Sequence, residues 1–154
     1  MTIKVNIDLE RAFTVDADID TVFLLLSDVP ASAAYFPNVH KLTPLTENAY
    51  RWDIEKVAVG LHSIQTSYAC EYHSDLATKT IVWEPIKDEG NALVAGKWEL
   101  TELDKGTSIV FSTSAVLRLA MPGFLSMGIA PLVKFEFTGM VDTYLQNLKD
   151  AWEQ

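Results

Sequence analysis

One cysteine, Cys70, stands in a chain of 154 residues, so no disulfide can close within it and no paired-cysteine metal or redox unit can form. A lone thiol fits a reducing compartment, and the expected location is cytoplasmic. Basic residues are scarce: 12 Lys and Arg against 21 Asp and Glu leave a formal charge of -9. That is the wrong sign for a surface that must neutralise phosphates, and there is no dense Lys/Arg run, so nucleic acid is not an expected partner. No apolar stretch approaches the roughly 18 residues of a membrane-crossing helix. Lys4, Asp8, Glu10 and Arg11 interrupt the first apolar residues, which leaves no signal-peptide core, and a soluble protein without stable membrane insertion is expected. Histidine is sparse as well. His40, His62 and His73 form no HxH or HExxH spacing, and His73 shares the polar parity of Glu71, so no metal is expected. With no Gly-rich phosphate loop and no GxSxG elbow, no cofactor is implied.

What the chain does have is apolar and aromatic side chain, 49 % and 10 % of residues, with 21 % charged. That composition opposes disorder and predicts one folded domain over residues 1–154. Residues 3 to 15 alternate: Ile3, Val5, Ile7, Leu9, Phe13 and Val15 share one parity, and Lys4, Asp8, Glu10 and Thr14 the other. Period two predicts a strand with one wet face. Arg11 falls on the apolar parity, which admits a bulge, a snorkelling stem or a charge facing a cavity. Asp18 then reads as an N-cap, with Ile19, Val22, Phe23 and Leu26 as the apolar stripe of a short helix ending near Asp28. Pro30 opens a second short helix through Tyr35, and Pro37 stops it.

From Val39 to Leu119 the chain reads as six strands separated by Glu47-Asn48, Gly60, Ser74-Asp75, the 88–91 turn and Asp104-Lys105-Gly106, the spacing of an antiparallel meander. Residues 61–73 read as one strand. Val133, Phe137, Met140, Val141, Tyr144, Leu148 and Trp152 recur at three and four, predicting a long amphipathic C-terminal helix in which Gly139 permits close packing or a bend. The fold class is α+β: a seven-stranded antiparallel sheet, with two short helices after its first strand, whose apolar face is covered by the last helix.

That order is the helix-grip order, and the local text agrees with it. VDADIDTVF (15–23), LLLSDVP (24–30) and Tyr35-Phe36-Pro37-Asn38-Val39 resemble the opening of the START/Bet v 1-like (SRPBCC) superfamily. Within it the chain looks most like the polyketide cyclase/dehydrase and lipid-transport branch, and it is similar to the G subunit of carbon monoxide dehydrogenase. The resemblance implies an elongated apolar cavity between sheet and C-terminal helix, and a lipid, isoprenoid, polyketide or other hydrophobic ligand. The motif itself builds structure and carries no chemistry, so function rests on the lining.

The expected lining is Trp52, Ile54, Tyr68, Cys70, Tyr72, Trp83, Trp98 and Phe111 from the sheet, with Phe137 and Val141 from the helix. The same residues equally suit a filled core. His62 shares parity with Tyr68 and Cys70, so His62 and Tyr68 are the candidate proton movers of a cofactor-independent cyclase or dehydratase. Lys56, like Arg11, sits at an inward parity near a strand end, where it would either hold an acidic head group at the pocket mouth or snorkel to water. Residues 119–131, apolar and broken by Gly and Pro, read as a lid, as a surface for a protein or transient membrane contact, or as a packed connection with a helix beginning near Pro122 and kinked at Pro131. Three functions follow: carriage or sensing of a hydrophobic small molecule, cyclase/dehydratase chemistry, and a maturation or interaction role through residues 119–131.

Overall fold

The alternation of the first residues becomes β1 (Thr2–Val15) in the computed structural model, which describes residues 2–59, 62–120 and 126–154, with the backbone alone for Val59, His62, Ser126 and Met127. The chain continues through α1 (Ile19–Ser27), α2 (Val29–Ala33), β2 (Val39–Thr46), β3 (Ala49–Ile54), β4 (Val57–Val59) and β5 (His62–Ile64). It then runs through β6 (Ser67–Asp75), β7 (Thr80–Ile86), β8 (Ala92–Glu102), β9 (Thr107–Ala120) and α3 (Ser126–Trp152). Seven strands form one antiparallel sheet in the order β1-β9-β8-β7-β6-β3-β2, a meander from β2 to β9 from which β4 and β5, between β3 and β6, stand apart. The first strand closes the far edge on the last one.

β1 and β9 pair from Thr2↔Ala120 to Val15↔Thr107 without a register shift. There is therefore no bulge at Arg11. Its side chain stays on the helix side of the sheet, and its Nε lies 2.9 Å from Asp142 Oδ1 of α3. The pair is part-exposed, so it ties sheet edge to helix at less than about 1 kcal/mol and puts no charge into the core.

The expected single strand over residues 61–73 is interrupted. β4 and β5 make a separate two-stranded sheet, and β6 begins only at Ser67. The polar side chain of Asn91 explains the break: its Oδ1 accepts from Ser67 N and its Nδ2 donates to Gln65 O, both at 2.9 Å. A side chain takes the place of a strand neighbour there, while Ile54 N donates to Thr66 O at 2.9 Å. Alternation of Ile64, Thr66 and Tyr68 persists across a bend that it does not reveal.

Ile19, Val22, Phe23 and Leu26 are buried, as the stripe requires. Asp18 occupies the N-cap position without a side-chain cap bond, whereas Asp28 caps α2 by accepting from Ala31 N at 3.2 Å. α3 lays Val133, Met140, Val141, Tyr144, Leu145 and Leu148 against the sheet. Pro131, where the sequence places a kink, lies within its second turn, and the helix continues beyond it to Trp152. A Cβ on Gly139 would meet nothing within 4 Å. Close packing is therefore not the reason for that glycine.

Candidate functional site

Register carries the aromatic side chains to one place. Trp52 stands opposite Tyr68, Tyr72 opposite Trp83, and Trp98 opposite Phe111, each pair on the face turned to α3, where directly opposed side chains touch. Trp52 stacks on Tyr68 with ring centroids 5.9 Å apart and planes at 11°, and Trp98 tilts against Phe111 at 4.7 Å. Trp83 reaches Phe111 at 5.9 Å. Room for the Trp83 ring comes from Gly96 beneath it, where an added Cβ would lie 2.3 Å from Trp83 Cζ2 and 2.5 Å from Ser112 O.

These rings do not fill the space between sheet and helices. A cavity of about 90 Å³ remains, walled by the sheet on one side, by Val141, Phe137 and Tyr144 of α3 on the other, and by Leu26, Val29, Ser32 and Phe36 at one end. Nineteen of the described residues line it, and none of these carries a charge. Eight of the ten expected lining residues are there: Trp52, Tyr68, Tyr72, Trp83, Trp98, Phe111, Phe137 and Val141. Ile54 and Cys70 are buried but do not reach it. Ile54 ends β3 at the bend described above. Cys70 is too short to clear its larger neighbours, and its Sγ donates instead to Val94 O at 3.3 Å. Burial pushes the thiol up to about 12, so Cys70 is neutral and inert as a nucleophile.

Three phenols supply most of the polarity. Tyr72 Oη accepts from Trp52 Nε1 at 2.9 Å. Tyr144 Oη and Ser32 Oγ share a buried hydrogen bond that joins α3 to α2. Among the described residues the Tyr68 hydroxyl has no hydrogen-bond partner. Burial is the main cause that raises all three phenols: Tyr144 to about 12, and Tyr68 and Tyr72 well above their ordinary value. At neutral pH they act as hydrogen-bond donors and are unsuited to remove a proton.

The expected partners His62 and Tyr68 lie on different strands. His62 belongs to the β4–β5 hairpin, outside the strand that holds Tyr68, and its side chain lies outside the described residues. Lys56 is exposed just beyond β3 and lines no part of the cavity. His40 is exposed, and His73 faces Glu71 at 3.1 Å on the outer surface. Of the 119–131 segment, Leu119 and Ile129 are buried in the core, and residues 121–125 lie outside the described ones. Among the described residues no group of three His, Cys, Asp or Glu could hold a metal, and no helix is long and apolar enough to cross a membrane.

Sequence reasoning missed Ser32, Phe36 and Thr113 altogether and took Tyr144 only for a packing residue. The signal for Tyr144 was present: a phenol on the buried stripe of a helix needs a partner for its hydroxyl. Ser32 carried none, because a serine in a one-turn helix is ordinary.

No family model matches the chain, and no curated protein does. Solved structures match throughout its length. A protein of Thermus thermophilus is 21% identical over 94% of this chain and 94% of that one, with a TM-score of 0.71. The Zhui aromatase/cyclase of Streptomyces sp. R1128 is 15% identical over 95% and 93%, with a TM-score of 0.69. A START superfamily protein of Mycobacterium smegmatis is 15% identical over 94% and 96%, with a TM-score of 0.67. What is shared at these identities is the fold, a sheet gripping its C-terminal helix.

Proposed function

We propose that this chain, built on the helix-grip fold of START proteins and aromatase/cyclases, binds a hydrophobic small molecule of lipid, isoprenoid or polyketide type between sheet and α3. The observation that carries the reading is the uncharged aromatic cavity left open at the centre of the domain. A void lined by rings forfeits dispersion contacts, and filling it recovers them. A ligand that buries about 200 Å² of apolar surface gains roughly 5 kcal/mol before the costs of ordering it. The cavity is smaller than the roughly 150 Å³ that holds a benzene ring in an engineered protein. Binding therefore requires it to widen, and Phe36 and Phe137 are part-exposed rings in its lining whose outward turn would widen it.

A second reading is a cyclase or dehydratase acting on an aromatic or polyketide-like substrate. It is supported by three phenol hydroxyls converging on one cavity and by the aromatase/cyclase among the proteins of this fold. Their elevated pKa values give the phenols one role in such chemistry, donation of hydrogen bonds to a carbonyl oxygen as charge develops on it. A base would have to come from elsewhere, and His62 remains the candidate.

Native mass spectrometry of the purified chain, with extraction of bound material and titration with the neutral probe N-phenyl-1-naphthylamine, tests the first reading. A retained apolar molecule, or saturable one-to-one probe binding, is the expected result. An empty chain that never binds the probe overturns it. Turnover of an extracted compound that a His62→Ala variant abolishes would establish the second reading.

A further inference from the structure

Outside the cavity, a groove of about 300 Å³ runs between the α1–α2 junction and the β2–β3 turn. Its lining is polar, with Ser27, Glu47, Asn48, His73 and Ser74 around it, and two residues, Val29 and Tyr72, belong to both groove and cavity. Tyr72 and Val29 therefore stand between groove and cavity. The Tyr72 backbone is pinned by its N donating to Asn48 O at 2.8 Å, its hydroxyl accepts from Trp52 Nε1 at 2.9 Å, and its ring lies against Tyr50 and Trp83 at 6.2 and 6.1 Å between centroids. A turn of the ring about its side-chain torsions would release the Trp52 N–H that it now accepts from.

Charge distinguishes the two compartments. Among the described residues the cavity lining is uncharged, while the groove carries the Glu47 carboxylate with no Lys or Arg in its lining. His73, which also lines the groove, faces Glu71. The formal charge of -9 adds to the bias against anions.

We propose that cavity and groove form one bipartite site for an amphiphilic amine, its apolar end passing Tyr72 into the cavity and its ammonium held in the groove by Glu47 and the neighbouring hydroxyl and amide groups. The inference rests on the cavity-binding reading above and adds the class of ligand and the gate. A fatty acid or phosphate ester of the same length is disfavoured, because its head would meet Glu47 without a compensating cation.

Displacement of bound N-phenyl-1-naphthylamine by octylamine and by octanoate at neutral pH tests it. Octylamine should compete about tenfold or more better than octanoate. Glu47→Lys, in an exposed turn, should bring that ratio to one or reverse it, and Tyr72→Ala should tighten both ligands by removing the ring between groove and cavity. Equal competition by the two in the unaltered protein, or a ratio that Glu47→Lys leaves unchanged, overturns the bipartite site while leaving the cavity reading intact. Failure of the probe itself to bind overturns the cavity reading, and this inference with it.

Discussion

Tyr68 and Tyr144 bring the same hydroxyl to the same cavity, but only Tyr144 has a protein partner, Ser32. Removing one member of a buried hydrogen bond leaves the other desolvated and unmatched. Tyr144→Phe should therefore cost about 1–2 kcal/mol in urea denaturation, and Ser32→Ala should recover part of that loss in the double variant. Tyr68→Phe removes a hydroxyl that bonds to nothing in the described structure, and stability should hold or rise slightly. If Tyr68 orients a ligand, the loss appears in affinity alone. Cys70 makes a separate prediction through pH. Its ordinary value is 9.0 and its folded value about 12, so between these limits the unfolded chain loses a proton that the native chain keeps. Native stability is then fully present below pH 9 and falls as pH rises towards about 12, by at most ~1.4 kcal/mol per pH unit from this group. Tyr144, raised from 10.0 to about 12, adds the same sign of slope from its own, higher onset. Cys70→Ala should flatten the stability profile between pH 9 and 10 while the fall above pH 10 remains. Urea midpoints at half-unit intervals of pH measure this directly.

Among elements, α3 has the most to hold together: it covers the sheet, supplies three cavity residues, and carries a proline and two glycines in its 27 residues. Gly139 lies exposed near its middle with open space where a Cβ would be. Nothing there needs a glycine, so Gly139→Ala should stabilise the chain by about 0.5–1 kcal/mol, seen as a raised urea midpoint with unchanged m-value. A drop instead would show that α3 bends at Gly139 to reach the sheet. The apolar stripe of this helix and the strict alternation of β1 were legible because a one-sided burial pattern has a period, and the period survives in the sequence. The β4–β5 hairpin was not. Its three-residue strands are too short for a period to register, and the bend after it depends on Asn91, 24 residues downstream of Ser67, whose amide substitutes for a strand neighbour. α2 was legible by its proline and stop signal, but Asp28 rather than Asp18 proved to be the side chain that caps a helix.

At the scale of the molecule, parity along each strand indicates which side chains face α3, and that is why most of the expected lining was found. Whether those side chains meet or leave space depends on the curvature of the sheet and on ring torsions, which no local pattern encodes. Cys70 shows the limit: it has the right parity and full burial, yet its small size keeps it out of the wall. Ser32 and Phe36 show the converse, since α2 and the turn after it are brought to the cavity only by the path of the chain. The resulting architecture provides its own reporter. Three of the four tryptophans, Trp52, Trp83 and Trp98, line the cavity, whereas Trp152 is buried away from it near the end of α3. A ligand that enters must change the surroundings of those three indoles and also stabilise the fold by mass action. At about 100 times its Kd it contributes roughly 2.7 kcal/mol, which for a chain of this length raises Tm by about 5–10 °C. Intrinsic fluorescence and thermal unfolding should therefore titrate together with one midpoint, in Trp152→Phe as in the unaltered protein. A ligand that raises Tm while leaving the tryptophan spectrum unmoved binds somewhere other than between sheet and helix.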